Sequence, residues 1–145
     1  MKTWIKVLLI ALIIAVPAFI LGPIIWTPTK DLVPTPTQLP FFILLSAIES
    51  LLFGFGISFM IYGRSMVKNA SLQSKNMATA AYFSLSWLLV SWWPHDNFHI
   101  HNGLYALGLL YIDYGFHVTL MIASLIVTYY ILNIGKYMKP TNSKR

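Results

Sequence analysis

Six residues of types that bind metal ions or carry protons lie within one short stretch of this chain. Positions 95 to 117 contain all four histidines and two of the four acidic residues: His95, Asp96, His99, His101, Asp113 and His117. Imidazole and carboxylate groups are the usual protein ligands of zinc, copper and non-haem iron. The clustering therefore predicts a transition-metal site in this stretch.

The spacing within the cluster favours two pairs of ligands on two helices. His95 and His99 are four residues apart, and Asp113 and His117 repeat that interval. Residues at i and i+4 lie on the same face of a helix. A proline precedes the first pair and a glycine follows it, which predicts a short interfacial helix over 94–101.

The predicted site consists of four ligands and one acidic neighbour from elsewhere in the chain: His95, His99, Asp113, His117 and Glu49. Glu49 is expected to act as a fifth ligand or as a second-shell partner of the ligands. Asp96 and His101 are expected to face solvent. An ion pair between Asp113 and His117 without any metal is the alternative to this site, with a protonated Glu49 hydrogen-bonded to serines.

The composition around this cluster is that of a membrane protein. The hydrophobic fraction is 57%, charged residues make up 10%, and the mean hydropathy is +0.68. A membrane-spanning helix needs about 20 apolar residues. Four stretches meet that requirement, at about 4–25, 41–62, 77–93 and 103–134. The sequence therefore predicts an all-α, polytopic membrane protein whose residues 1–145 form one four-helix transmembrane domain with short loops.

The distribution of basic residues predicts the orientation of these spans. Nine of the ten Lys and Arg residues precede the first span, lie between the second and third, or follow the fourth, and Lys30 is the exception. The positive-inside rule then places both termini and the 63–76 loop in the cytoplasm of a plasma-membrane protein, with the 94–102 loop outside. The net charge of +6 is explained by topology and anionic lipid, so no nucleic acid partner is expected.

Depth estimates bring the ionisable groups together in the outer leaflet. Glu49 lies eight residues into the second span, about 12 Å from its outer end. Asp113 is expected near the outer membrane boundary, and His117 about 6 Å deeper. These positions lie beneath the loop that contains the remaining histidines, so one shared site is expected.

Small and polar residues recur along two of the spans and predict packing seams. One series recurs every four residues on the second span, and another follows the fourth: Ser46, Ser50, Gly54 and Ser58, then Asp113, His117, Ser124 and Thr128. Small residues allow helices to approach closely in lipid. Gly54 and Gly56 are therefore also expected to receive the helices of partner subunits.

Two local resemblances to metalloenzyme families accompany these patterns. The Asp113-x-x-x-His117 pair resembles a pair on a helix of the third subunit of copper membrane monooxygenases. That family has a further histidine thirteen residues later, where this chain has Tyr130. The His95-x-x-x-His99 pair resembles one histidine box of membrane fatty-acid hydroxylases and desaturases, whose other boxes are missing here. Each resemblance covers two residues and implies a metal-dependent oxidation.

Three classes of function remain open from the sequence. The favoured one is a small subunit of a larger membrane complex, a metal-dependent oxidoreductase such as a copper membrane monooxygenase. The second is a self-contained metal-dependent hydrolase or hydroxylase, and the third is a small transporter or proton-relay protein without metal. The absence of cysteine excludes disulfides, thiolate catalysis and cysteine-ligated clusters.

Overall fold

The computed structural model describes residues 3–30, 33–70, 75–103 and 106–134, and in these ranges the chain is helical without any strand. Five helices follow one another: α1 (Thr3–Ile25), α2 (Leu39–Ala70), α3 (Lys75–Val90), α4 (Trp92–Asn102) and α5 (Ala106–Ile134). The all-α prediction is confirmed. The basic C-terminal tail that entered the orientation argument lies outside the described residues.

Three of the helices are long and apolar enough to cross a membrane: Trp4–Ile25, Leu39–Lys68 and Leu109–Asn133. The predicted third span over 77–93 is instead divided between α3, which has 16 residues, and the start of α4. The break follows from Pro94, since a proline ring clashes with the carbonyl four residues earlier, which here belongs to Val90. Helix α3 ends at that residue.

Helices α1 and α2 are antiparallel and pack through the small-residue seam of α2. The Ser58 hydroxyl donates to the carbonyl of Val7 at 2.9 Å, and both Ser50 and Ser58 are buried. A Cβ atom at Gly54 would collide with the carbonyl oxygen of Ala11. The seam predicted on the second span is confirmed, and it holds two helices of the same chain together.

The expectation that Gly54 and Gly56 receive partner helices is wrong. Gly54 approaches the α1 backbone, while a Cβ atom at Gly56 would meet Leu89 and Val90 of α3. Both glycines are therefore used for contacts within the bundle, since close backbone approach is possible only where the side chain is missing.

Two tyrosines connect α2, α3 and α5 by hydrogen bonds near the end of α2 and the start of α3. The Tyr82 hydroxyl donates to the carbonyl of Met60 at 2.6 Å, and the Tyr130 hydroxyl donates to the carbonyl of Val67 at 2.7 Å. They belong to one apolar cluster that consists of Val67, Ala78, Ala81, Tyr82 and Tyr130. This cluster lies close to the basic residues at the end of α2 and the start of α3.

Helix α5 buries a different face from the one its polar residues predict. Its buried positions are apolar or aromatic: Leu109, Phe116, Leu120, Ala123, Val127 and Tyr130. His117, Ser124 and Thr128 are exposed and border a cavity with Leu88 and Trp92 of the neighbouring helices. The predicted packing seam on the fourth span is therefore wrong. The larger apolar side chains make more contact with α3 than the hydroxyl groups would.

Candidate metal centre

Helix α4 presents the first ligand pair, and its ends explain why it is a separate element. It begins just after Ser91, has Pro94 in its first turn, and stops at Gly103, whose φ of 67° favours glycine. The Gly103 N–H donates to the carbonyl of His99 at 2.8 Å. The predicted short helix over 94–101 is confirmed as the central part of α4.

The first loop fixes the far end of α4. The backbone N–H of Thr29 donates to the carbonyl of Ile100 at 3.1 Å, and the Thr29 side chain lies against Gly103. His101 is exposed, and its Nδ1 lies 3.0 Å from the carbonyl oxygen of Thr27. His101 therefore anchors this loop to α4.

Three side-chain atoms from α4 and α5 form a small triangle. Asp113 Oδ1 lies 2.7 Å from His99 Nε2 and 3.1 Å from His95 Nε2, and the two Nε2 atoms are 3.1 Å apart. A metal ion that holds such atoms tetrahedrally at about 2.0–2.1 Å would place them about 3.3 Å from each other. The triangle is therefore close to the size of a metal coordination face.

The three atoms of the triangle have more hydrogen-bond acceptors than donor protons when both histidines are neutral. His95 Nδ1 lies 2.9 Å from Asp96 Oδ1, so a neutral His95 ring spends its one proton there. Its Nε2 then directs a lone pair at Asp113 Oδ1, so both of these atoms are acceptors. The single Nε2 proton of a neutral His99 can be donated fully to only one of them. A second proton on His95 or a bound cation would relieve this repulsion.

His117, on the next turn of α5, forms a second group with His95 and Asp113. One ligand atom from each of His95, Asp113 and His117 lies within 4.8 Å of the others. The Nδ1 of His117 donates to the carbonyl of Asp113 at 2.8 Å, which leaves Nε2 with a free lone pair for a metal. The His117 ring is exposed but stands edge-on to the His95 ring, with centroids 5.5 Å apart.

Packing holds the His95 ring in place. The ring stacks on Phe116 with centroids 3.6 Å apart and an interplanar angle of 10°, and Trp92 meets it edge-on. Only 10% of the His95 side chain is exposed, against 32% for His99 and 36% for Asp113. His95 is therefore the most fixed of these three residues, and Asp113 and His99 are more accessible.

Glu49 lies outside the groups that His95 and Asp113 form with His99 and His117. It is 5% exposed, its Oε1 has no hydrogen-bond partner among the described residues, and its side-chain neighbour is the Asp96 carboxyl. Direct binding of a metal by Glu49 therefore has no geometric support. Glu49 connects to the site through Asp96 and His95, which agrees with the supporting role that the sequence left open.

Asp96 is the residue that sequence reasoning placed wrongly. Its carboxyl does not simply face solvent, since it contacts both His95 and Glu49. A carboxylate on the second nitrogen of a ligating histidine fixes the tautomer and the ring orientation. The available signal was the buried Glu49, because an acidic group in an apolar bundle needs a polar partner from a neighbouring helix.

Two overlapping groups thus share His95 and Asp113: His99 completes one of them and His117 the other. Asp96 contacts His95, and Glu49 contacts Asp96. Comparison of the chain with family models, with curated proteins and with solved structures gave no match.

Proposed function

We propose that this chain is a small membrane protein that binds one transition-metal ion at the junction of α4 and α5. The observation that carries the proposal is the convergence of His95 Nε2, His99 Nε2 and Asp113 Oδ1, none more than 3.1 Å from the others. His117 would supply a fourth ligand, and the Asp96 carboxylate would orient the His95 ring through its contact with Nδ1. Zinc, copper and iron are the metals that such a ligand set suits.

The chemistry of the site follows from its ligands. A bound metal would supply Lewis acidity or, for copper and iron, one-electron redox chemistry. The chain's own residues hold the site in shape: Asp96 orients the His95 ring, and Phe116 limits its rotation. The accessible edge at Asp113 and His99 is the side from which an exogenous molecule would reach the site.

A narrower proposal is that the site belongs to a membrane oxidoreductase in which this chain is one subunit, as in copper membrane monooxygenases. It is supported by the local resemblance at Asp113 and His117 and by the large apolar surface that a small bundle leaves uncovered. Native mass measured in a mild detergent tests it. A complex larger than one chain with lipid supports the subunit role, whereas a lone monomer with bound metal and activity would favour the self-contained enzyme.

Metal content is the direct test of the site. We expect purified protein, supplied separately with Zn²⁺, Cu²⁺ or Fe²⁺ and then desalted, to retain about one equivalent of one of them by elemental analysis. His99→Ala should lose most of that metal, because it removes a ligand without disturbing the buried His95.

His101→Ala is the matched control for this experiment. His101 lies on the same helix two residues away and bonds to the first loop instead of to the site. It should keep the metal at the wild-type level. Equal retention by the wild type and His99→Ala, or no retention of any of the three metals by the wild type, would refute the proposal.

A further inference from the structure

A cavity lies directly behind the His95 ring. It has a volume of about 420 Å³, within the usual range of small-ligand sites, and it is bordered by α3, α4, α5 and Trp26, the first residue after α1. Its main walls are Trp26, Trp87, His95, Phe98, Gly115 and Phe116. We infer that this cavity binds the hydrocarbon part of an uncharged, lipid-soluble molecule and brings that molecule to the metal site.

Two polar side chains of the wall are paired with each other, while two further polar atoms, Trp26 Nε1 and Ser91 Oγ, are buried without a hydrogen-bond partner among the described residues. Trp87 Nε1 donates to Thr119 Oγ1 at 3.1 Å, and the Thr119 hydroxyl donates to the carbonyl of Gly115 at 2.8 Å. The wall therefore presents mostly aromatic and aliphatic surface to an occupant. A charged or zwitterionic group would lose its hydration there without gaining hydrogen bonds, so the cavity selects for apolar molecules.

Gly115 keeps the cavity open. A Cβ atom built there meets nothing within 4 Å, whereas at Gly22, Gly54, Gly56 and Gly63 it meets side chains or backbone. A glycine in a helix interior costs about 0.5–1 kcal/mol relative to alanine. At Gly115 no close helix contact in the described part of the chain explains that cost. We therefore attribute the glycine to the cavity, whose volume a side chain at this position would reduce.

The cavity and the metal site share His95. One face of the ring stacks on Phe116, another cavity residue, while Nε2 lies in the triangle with Asp113 and His99. An occupant of the cavity is thus separated from the ligand atoms by no more than this ring. The inference rests on the proposed metal site, because it assigns the class of molecule that the site would meet.

Photolabelling tests the inference on the full chain in phosphatidylcholine nanodiscs. The probe is dodecanol with a diazirine on its chain, and mass spectrometry locates the labelled residues. We expect saturable labelling of the 112–119 segment that unlabelled dodecanol competes away. Gly115→Leu should reduce it by about tenfold or more, since a Cβ atom there meets nothing within 4 Å and the rest of the leucine side chain would take the place of the probe and displace several apolar contacts.

Leu110→Phe is the matched control, because it adds bulk at an exposed position on the opposite side of α5. It should label like the wild type. Non-saturable labelling, or equal labelling of Gly115→Leu, would overturn the inference. Labelling by a photoreactive phosphatidylcholine that dodecanol does not displace would assign the cavity to bilayer acyl chains and also overturn it.

Metal retention in the same samples separates the two proposals. Gly115→Leu should keep its metal while it loses the probe, because Gly115 contributes no ligand atom. Saturable labelling of a wild type that binds none of the three metals would refute the metal site and leave the cavity assignment standing.

Discussion

At the scale of single residues, His95 connects every part of the candidate site. Its Nδ1 contacts Asp96, its Nε2 contacts Asp113 and His99, and its ring face stacks on Phe116. A residue with so many directional contacts has little freedom to rotate. Replacement of the more exposed His99 and Asp113 therefore tests the proposed metal binding with the least disturbance of packing.

Replacing Asp113 with asparagine should weaken metal binding more than the same change at Asp96. Asp113→Asn removes the negative charge at one corner of the triangle, whereas Asp96→Asn changes only the partner of His95 Nδ1. Loss of an outer-shell partner usually costs about 10–100-fold in affinity, and loss of the ligand should cost more. Competition titration with a chromophoric chelator measures both, and an equal loss in the two variants would show that Asp113 is not a ligand.

The sequence predicted which of these side chains lie together, because helix spacing alone aligns His95 with His99 and Asp113 with His117. It could not predict the partners of Asp96 and Glu49. These depend on how α4 lies across α2, which no local pattern encodes. The sequence therefore predicts Glu49 beside the proposed ligands and Asp96 in solvent, although the structure makes the two residues neighbours.

At the scale of helices, glycine positions distinguish contacts within the chain from open space. Gly54 is pressed against the α1 backbone at Ala11, and Gly115 faces a cavity. Both lie in helix interiors, so their intrinsic helix propensities are the same. The difference between them is entirely a matter of tertiary contacts.

Alanine at these two glycines should change stability in opposite directions. Gly54→Ala forces α1 and α2 apart and should destabilise the protein by about 1–3 kcal/mol through overpacking. Gly115→Ala meets no atom and should stabilise α5 by about 0.5–1 kcal/mol. Thermal unfolding in one detergent, followed by circular dichroism, compares them. Equal melting temperatures for the two variants would contradict the α1–α2 contact.

Element boundaries were predictable where proline or glycine sets them, and less so elsewhere. Gly103 ends α4 as expected, and Pro94 explains the end of α3, although the apolar run through Trp93 had suggested a longer span. The buried face of α5 could not be read from its polar residues. Apolar side chains recur on more than one side of that helix, so periodicity alone does not select the packed face.

At the scale of the whole molecule, the bundle has two chemically different ends. Arg64, Lys68 and Lys75 lie where α2 ends and α3 begins, and the Ser58–Val7 contact brings Lys6 to the same end. The histidine cluster lies at the other end. We propose that the basic end is cytoplasmic and that α3 crosses the membrane with the three longer helices, because it packs between α2 and α5.

Cysteine labelling tests this topology without background, since the chain contains no cysteine. Thr37→Cys lies in the exposed first loop and Ser65→Cys lies on the exposed face at the basic end of α2. A membrane-impermeant maleimide on intact cells should label Thr37→Cys and not Ser65→Cys. Ser143→Cys in the C-terminal tail should also stay unlabelled until the cells are lysed. Labelling of Ser143→Cys in intact cells would mean an odd number of crossings.

The order of the proposed ligands along the chain determines when their site can form. Asp113 follows His95 by 18 residues and belongs to the last helix. A growing chain therefore releases His95 and His99 from the ribosome before Asp113 and His117. The proposed ligand set would be complete only after α5 has packed against the rest of the bundle. Under the proposed function, metal binding would therefore be a late event in biogenesis, and a truncated chain without α5 would contain only His95 and His99 of that set.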